Sequence, residues 1–168
     1  MQEQVKRTVI SALVDNHSGV LVRVAGLFSR RGFNIDSLTV CETENPLYSR
    51  MTIVVPGDYT TIKQVVRQLA KLEDTKKILI LDKETTISSE LLLVKVQTEN
   101  GERASVLKTA QAYGAKILDT AAKSVTLELT GSSQDIDVFI GHLERNGILE
   151  LARTGMTALS AGDGTINQ

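Results

Sequence analysis

The chain has little of what most catalytic and metal sites are made from. Its 168 residues include one cysteine, Cys41, two histidines, His17 and His142, and no tryptophan. One cysteine excludes an internal disulfide and a cysteine-based metal cluster, and two distant histidines supply no ligand spacing. No metal site is therefore assigned. Aromatic residues make up only 4%. The third strand-like run carries Met51, Ile53 and Val55 where a base-stacking sheet needs Phe or Tyr, so nucleic-acid binding is not expected. A formal net charge of -1 gives no pull towards nucleic acid or an anionic membrane. No apolar run approaches the roughly 18–20 residues of a membrane span. Met1 to Lys6 is polar with no apolar run behind it, so no signal peptide is expected. There is no Gly-rich phosphate loop followed by Lys-Ser/Thr and no G-x-S-x-G elbow, so no catalytic residue is assigned. A soluble, cytoplasmic, non-enzymatic chain is the expectation.

What is present is a globular composition, 42% hydrophobic and 23% charged. Thr8 to Val14 is apolar and β-branched, as a buried strand is. Val20, Val24, Leu27, Phe28 and Arg31 fall at helical spacing, and Gly32 stops that helix. Ile35 to Thr43 and Met51 to Val55 read as strands around an Asn45-Pro46 turn. Ile62 to Leu72 is a second amphipathic helix, and Ile78 to Leu81 a short strand. The order is βαββαβ. Lys83 to Glu90 reads as a linker. The order then recurs: a strand at Leu91 to Val96, and a helix ended by Gly114. A hairpin at Ile117 to Ala121 and Val125 to Leu129 comes next. Last are a helix from an N-cap at Ser133 to Gly147 and a strand at Ile148 to Leu151. Cys41 reads as a packed strand residue. The fold class expected is α+β, two ferredoxin-like βαββαβ units in tandem. The domains expected are 1–82 and 91–158, joined by a linker at 83–90 and followed by a mobile tail at 159–168.

The two halves can be laid over one another. Gly32 matches Gly114 and Ile35 matches Ile117 at an offset of 82, and Met51 matches Val125 and Ile62 matches Ile136 at 74. The change of offset implies a shorter hairpin turn in the second copy.

Before the first helix stands Asp15-Asn16-His17-Ser18-Gly19-Val20-Leu21, with no acid from Gly19 to Val22. A helix N-terminus presents unpaired N–H groups and the positive end of the dipole. Stepping 83 from Asn16, Ser18 and Gly19 reaches Glu99, Gly101 and Glu102, so the second copy carries acids where the first does not. Asn34 maps on Lys116. Two readings stand. In the commoner one, Asn16 and Ser18 simply cap the helix. In the other, amides near Gly19, Val20 and Leu21 hold the carboxylate of a small zwitterion. The side-chain oxygens of Asn16 and Asn34 then accept from its ammonium, and Val20, Leu21 and Ile35 face an aliphatic side chain.

N-H-S-G-V-L, then G-L-F-S-R-R-G-F-N-I-D-S-L-T-V, then S-R-M-T-I-V-V resembles the small, regulatory subunit of acetohydroxyacid synthase (acetolactate synthase), over nearly the whole chain. The resemblance implies an N-terminal ACT domain, a C-terminal ferredoxin-like domain and a homodimer through the ACT domains. It implies no catalysis by this chain. It implies activation of a catalytic large subunit, which carries thiamine diphosphate, Mg2+ and FAD, and feedback inhibition by valine or another branched-chain amino acid. In the family the effector lies between two ACT domains. Carried over, Asn16, Ser18, Gly19, Val20 and Leu21 would come from one chain, and Asn34 and Ile35 from the other. The role of His17 stays open. The alternative is a stand-alone ACT-type amino-acid sensor with another partner.

Overall fold

The computed structural model describes residues 6–82, 84–99 and 101–166. The first βαββαβ run is β1 (Arg7–Asp15), α1 (Val20–Arg31), β2 (Ser37–Glu42), β3 (Tyr48–Pro56), α2 (Tyr59–Leu69) and β4 (Thr75–Leu81). The second is β5 (Thr86–Gln97), α3 (Arg103–Tyr113), β6 (Lys116–Thr120), β7 (Ser124–Gly131), α4 (Ser133–Leu143) and β8 (Ile148–Arg153), with a 3-10 turn at Glu144–Asn146. A further strand, β9 (Thr157–Ser160), follows. The sheets are antiparallel, with the equivalent orders β2-β3-β1-β4 and β6-β7-β5-β8. Both expected units are present. Among the described residues no helix is long and apolar enough to cross a membrane.

Alternation builds the first core. Ile10, Ala12 and Val14 of β1 and Met51, Ile53 and Val55 of β3 point to one side. There they meet Val20, Val24, Leu27 and Phe28 of α1, whose spacing makes one helical face, and Ile62, Val65 and Leu69 of α2. Gly32 ends α1 at φ 65°, where the Phe33 N–H reaches back to the Phe28 carbonyl at 3.0 Å. Asp58 caps α2, accepting from the Thr61 N–H at 2.7 Å. The second core repeats the plan with Leu92, Val94, Val96, Val125, Leu127, Ile136 and Phe139.

The helix cap expected at Ser133 is Ser132, whose Oγ accepts from the Asp135 N–H at 3.1 Å. Adjacent serines give the pattern no means to choose. Cys41, expected to be packed, is exposed, because it stands on edge strand β2 opposite Arg50, on the sheet face turned away from the helices.

The expected linker and tail also differ. From Thr86 the expected linker is already β5; Lys83 lies outside the described residues. Within the expected tail, β9 extends to Ser160 and Ile166 is buried at 3% exposure; residues 167 and 168 lie outside the description. The chain divides into a first unit of residues 1–88 with 156–168 and a second of 89–155, so the second is inserted into the first. A run rich in Gly, Ser and Thr reads as a loop, but β9 pairs with β5, and its Ala158 carbonyl accepts from the side-chain Nη2 of Arg50 at 3.1 Å. Residues 157–166 thus lie against the outer face of the first sheet. This agrees with the near-complete burial of Ser11, Leu13, Thr52 and Val54 on that face.

Backbone pairing fixes the repeat more closely than the sequence pattern does. The Asp15 N–H bonds the Asp74 carbonyl as the Gln97 N–H bonds that of Gly147, and Asn16 bonds Leu47 as Thr98 bonds Lys123. Irregularities fall at Leu13/Val14 and at Lys95/Val96. Asn16 therefore corresponds to Thr98 rather than Glu99, and Gly19 to Gly101. On the ladder Ala12 faces Met51 and Val94 faces Leu127, so Met51 corresponds to Leu127 rather than Val125. A slip of two leaves alternation unchanged, so periodicity cannot see it. The hairpin turn of the second copy is shorter, as expected, with β6 ending at Thr120 and β7 starting at Ser124.

Candidate functional site: the turn before α1

β1 hands the chain to α1 through four residues held from three sides. Asn16 is the anchor: its Nδ2 donates to the Pro46 carbonyl at 2.9 Å and to Glu42 Oε2 at 3.0 Å, and its Oδ1 accepts from Ser49 Oγ at 2.9 Å. That amide ties the turn to the β2–β3 hairpin. It neither caps α1 nor leaves its oxygen unengaged for an ammonium, as either reading of the sequence had it. Ser18 does not cap either. The N-cap is Gly19, at φ 90° and ψ -15°, with no side chain bonded to the helix end. No acid lies in the first turn, and among the described residues no carbonyl takes the Leu21 or Val22 N–H. The helix start keeps its donors and its dipole uncompensated.

Sequence reasoning missed the charged group beneath this turn. Arg23 binds Asp74 through Nε at 2.5 Å and Nη2 at 2.8 Å. His17 Nε2 lies 3.2 Å from Asp74 Oδ1, and its Nδ1 3.1 Å from the Ser18 carbonyl. Both partners accept, so the ring makes both bonds only when doubly protonated. Lys76 pairs with Asp15 at 2.7 Å. The Arg23 hydrogen bonds, with the charges of Arg23, His17 and Lys76, hold the Asp74 carboxyl below the usual aspartate range despite the opposing cost of desolvation. Asp15, His17 and Asp74 bring ligand atoms within 4.8 Å of one another, a geometry that could admit a cation. Arg23 and Lys76 already supply that charge, so the cluster is an ion-pair network. The contact between Arg23 and Asp74 spans 51 residues, and no local pattern announces it.

Around the helix start Leu21 and Val22 are exposed, at 45% and 74%, whereas Val20 faces the core at 3%. Val20 therefore does not offer its side chain, and its N–H already donates to the His17 carbonyl at 3.5 Å. Asn34 and Ile35 follow the other end of α1. Twelve residues at 1.5 Å rise place them roughly 18 Å from the turn. Asn34 is exposed, with Nδ2 at 3.4 Å from Asp36 Oδ1, and Ile35 is half-buried against the core. One chain does not bring the two sets together.

The second copy carries an acid at its helix start, one residue beyond the glycine that matches Gly19. Glu102 is the N-cap of α3 and accepts from Asn146 Nδ2 at 2.6 Å. Arg103 donates to the Ala121 and Ala122 carbonyls. Lys116, opposite number of Asn34, pairs with Glu128 at 2.8 Å. The acid at the helix start, read from the sequence, stands in the structure at Glu102.

Known proteins carry the same plan. Residues 10–77 match the model of the AHAS small subunit-like ACT domain, and residues 89–162 that of the small subunit of acetolactate synthase. A probable acetolactate synthase small subunit of Methanothermobacter thermautotrophicus is 45% identical over 94% of this chain and 95% of its own. The acetolactate synthase small subunit of Haemophilus influenzae is 40% identical over 95% of this chain and 99% of its own. A crystal structure of that subunit from Thermotoga maritima superimposes with a TM-score of 0.89 at 34% identity, covering 95% of this chain and all of the other. With both units matched and relatives aligned nearly end to end, the chain belongs to the acetolactate synthase small-subunit family.

Proposed function

We infer that this chain is the non-catalytic regulatory subunit of an acetolactate synthase. It binds the catalytic large subunit, raises its activity and confers feedback inhibition by valine or another branched-chain amino acid. Thiamine diphosphate, Mg2+ and FAD belong to that large subunit, and no residue here is asked to hold them. The effector lies between two first units of a homodimer. The Gly19–Leu21 backbone and Ser18 meet its carboxylate, and Asn34 and Ile35 of the second copy meet its ammonium and side chain. Asn16 shapes the turn rather than touching the ligand.

One observation carries this reading: an open helix start whose proposed complement, Asn34 and Ile35, sits at the far end of the same helix. Only a second chain can close that gap. A ligand held by two chains shifts the population of their arrangements by its differential affinity, typically about 5–150-fold in coupling.

Calorimetry on the purified chain and assays with its large subunit test the proposal. Binding of valine, leucine or isoleucine near one molecule per site, with inhibition of the activated enzyme, is the expected result. No binding and no effect on the large subunit overturns it. Binding of an amino acid without recovery of a large subunit in a pull-down favours the stand-alone sensor.

A further inference from the structure

The outer face of the first sheet is more polar than a buried face usually is. Ser11, Thr52 and Arg50 line up across β1 and β3, and Thr39 and Cys41 continue the rows on β2. Residues 157–166 lie over them and leave a depression of about 230 Å3. Everything lining it belongs to the first unit. Drug-sized ligands occupy about 300–1,000 Å3, so this space suits a smaller molecule.

Arg50 is the unusual member. One arm, Nη2, donates to the Ala158 carbonyl at 3.1 Å. Its Nε is buried and meets no acceptor. Arg50 lines the depression, where a carboxylate is the best match to a guanidinium in charge and shape. Burial lowers the Arg50 pKa, with the charge of Glu44 partly opposing. Leu159, Ile166 and Cys41 supply apolar wall, and Thr39 and Thr52 supply hydroxyls.

We propose that this depression is a second ligand site, separate from the turn, which takes a short aliphatic carboxylate with Arg50 as its cation. The acid comes from one of two sources, a free amino acid or a 2-oxo acid. Glu42 and Glu44 also line the space and favour a ligand that carries an ammonium. Glu42 is at the same time the acceptor of Asn16 Nδ2, so one residue is shared between the depression and the turn. A ligand that moves Glu42 would move the anchor of the turn.

Cys41 gives a direct test, because it is exposed, lines the depression and is the chain's single cysteine. The rate of thiol alkylation is measured on the full chain with valine, with 3-methyl-2-oxobutanoate, and with chloride as control. At least one acid should slow alkylation severalfold and chloride should not; which acid protects identifies the source. Protection should persist in Gly19→Asp, which disables the turn, and vanish in Arg50→Gln. A second readout does not depend on the Arg50 variant folding. Leu159→Trp places the only tryptophan at the depression, and its emission should change over the same concentrations. No protection and no emission change with either acid overturns the site, whether or not calorimetry finds binding at the turn. So does protection that disappears in Gly19→Asp or survives in Arg50→Gln.

Discussion

Arg23 holds Asp74 with two arms of its guanidinium, while the backbone carbonyl of Asp74 takes the N–H of Asp15. One aspartate thus ties the first turn of α1 to the strand that leads into it. Asp74→Asn should keep the fold, release Arg23 and His17, and loosen the turn. Valine inhibition of the reconstituted enzyme should weaken severalfold with activation preserved. Unchanged inhibition would remove Asp74 from the site's support.

The same carboxylate gives stability a pH dependence of known sign. Its folded pKa is held down, chiefly by the Arg23 hydrogen bonds. The stabilisation is therefore present above the ordinary aspartate value of about 4 and lost as pH falls through the lower folded value. Denaturant midpoints measured downward from about pH 5 should fall more steeply for the wild type than for Asp74→Asn.

Gly19 and Gly101 share a backbone conformation but not their surroundings: a Cβ at Gly19 meets Arg23 Nη1 at 2.9 Å, and one at Gly101 meets nothing within 4 Å. Both sit just before or at a helix start with nearly equal positive φ, 90° and 86°. An aspartate at either meets similar backbone strain, about 1 kcal/mol. Gly19→Asp puts a carboxylate against the open donors of α1 and should abolish valine inhibition while sparing activation. Gly101→Asp should leave inhibition intact. Equal losses in both variants would show strain rather than charge at work.

In the second unit Glu90 is buried at 6% exposure and takes Arg153 through Nη2 at 2.6 Å and Nε at 3.1 Å. Removing one partner of a buried pair leaves the other uncompensated, a loss of about 3 kcal/mol. Glu90→Ala should lower the urea midpoint accordingly. Glu128→Ala, which breaks the pair with the largely exposed Lys116, should barely move it.

The elements were legible because they rest on local signals. The α1 face from Val20 to Phe28, its stop at Gly32 and the alternation around Met51, Ile53 and Val55 are all readable from neighbours in sequence. Whatever depended on distant partners was not. Asp74 stands in a polar Glu-Asp-Thr stretch that looks like any loop. Asn16 looked like a cap because caps are made of such residues, yet its amide serves a hairpin some 30 residues away. The strand at Thr157 has the composition of a tail and is ordered by pairing, which composition does not record. The gap in the turn was visible only by comparing the two halves, and the comparison was one residue out of register at the loop, where no periodicity constrains it.

The insertion of residues 89–155 into the first unit carries a consequence for synthesis of the chain. A ribosome delivers β1 to β4 early, but the cover for their outer face comes last, with Ala158 and Ile166. Until then Arg50 and its neighbours face solvent or whatever chaperone is at hand. The first unit begins to fold first and is completed only after the second has emerged. A nascent chain halted after β4 has emerged and before residue 156 is made would therefore present a finished-looking helical side and an open sheet.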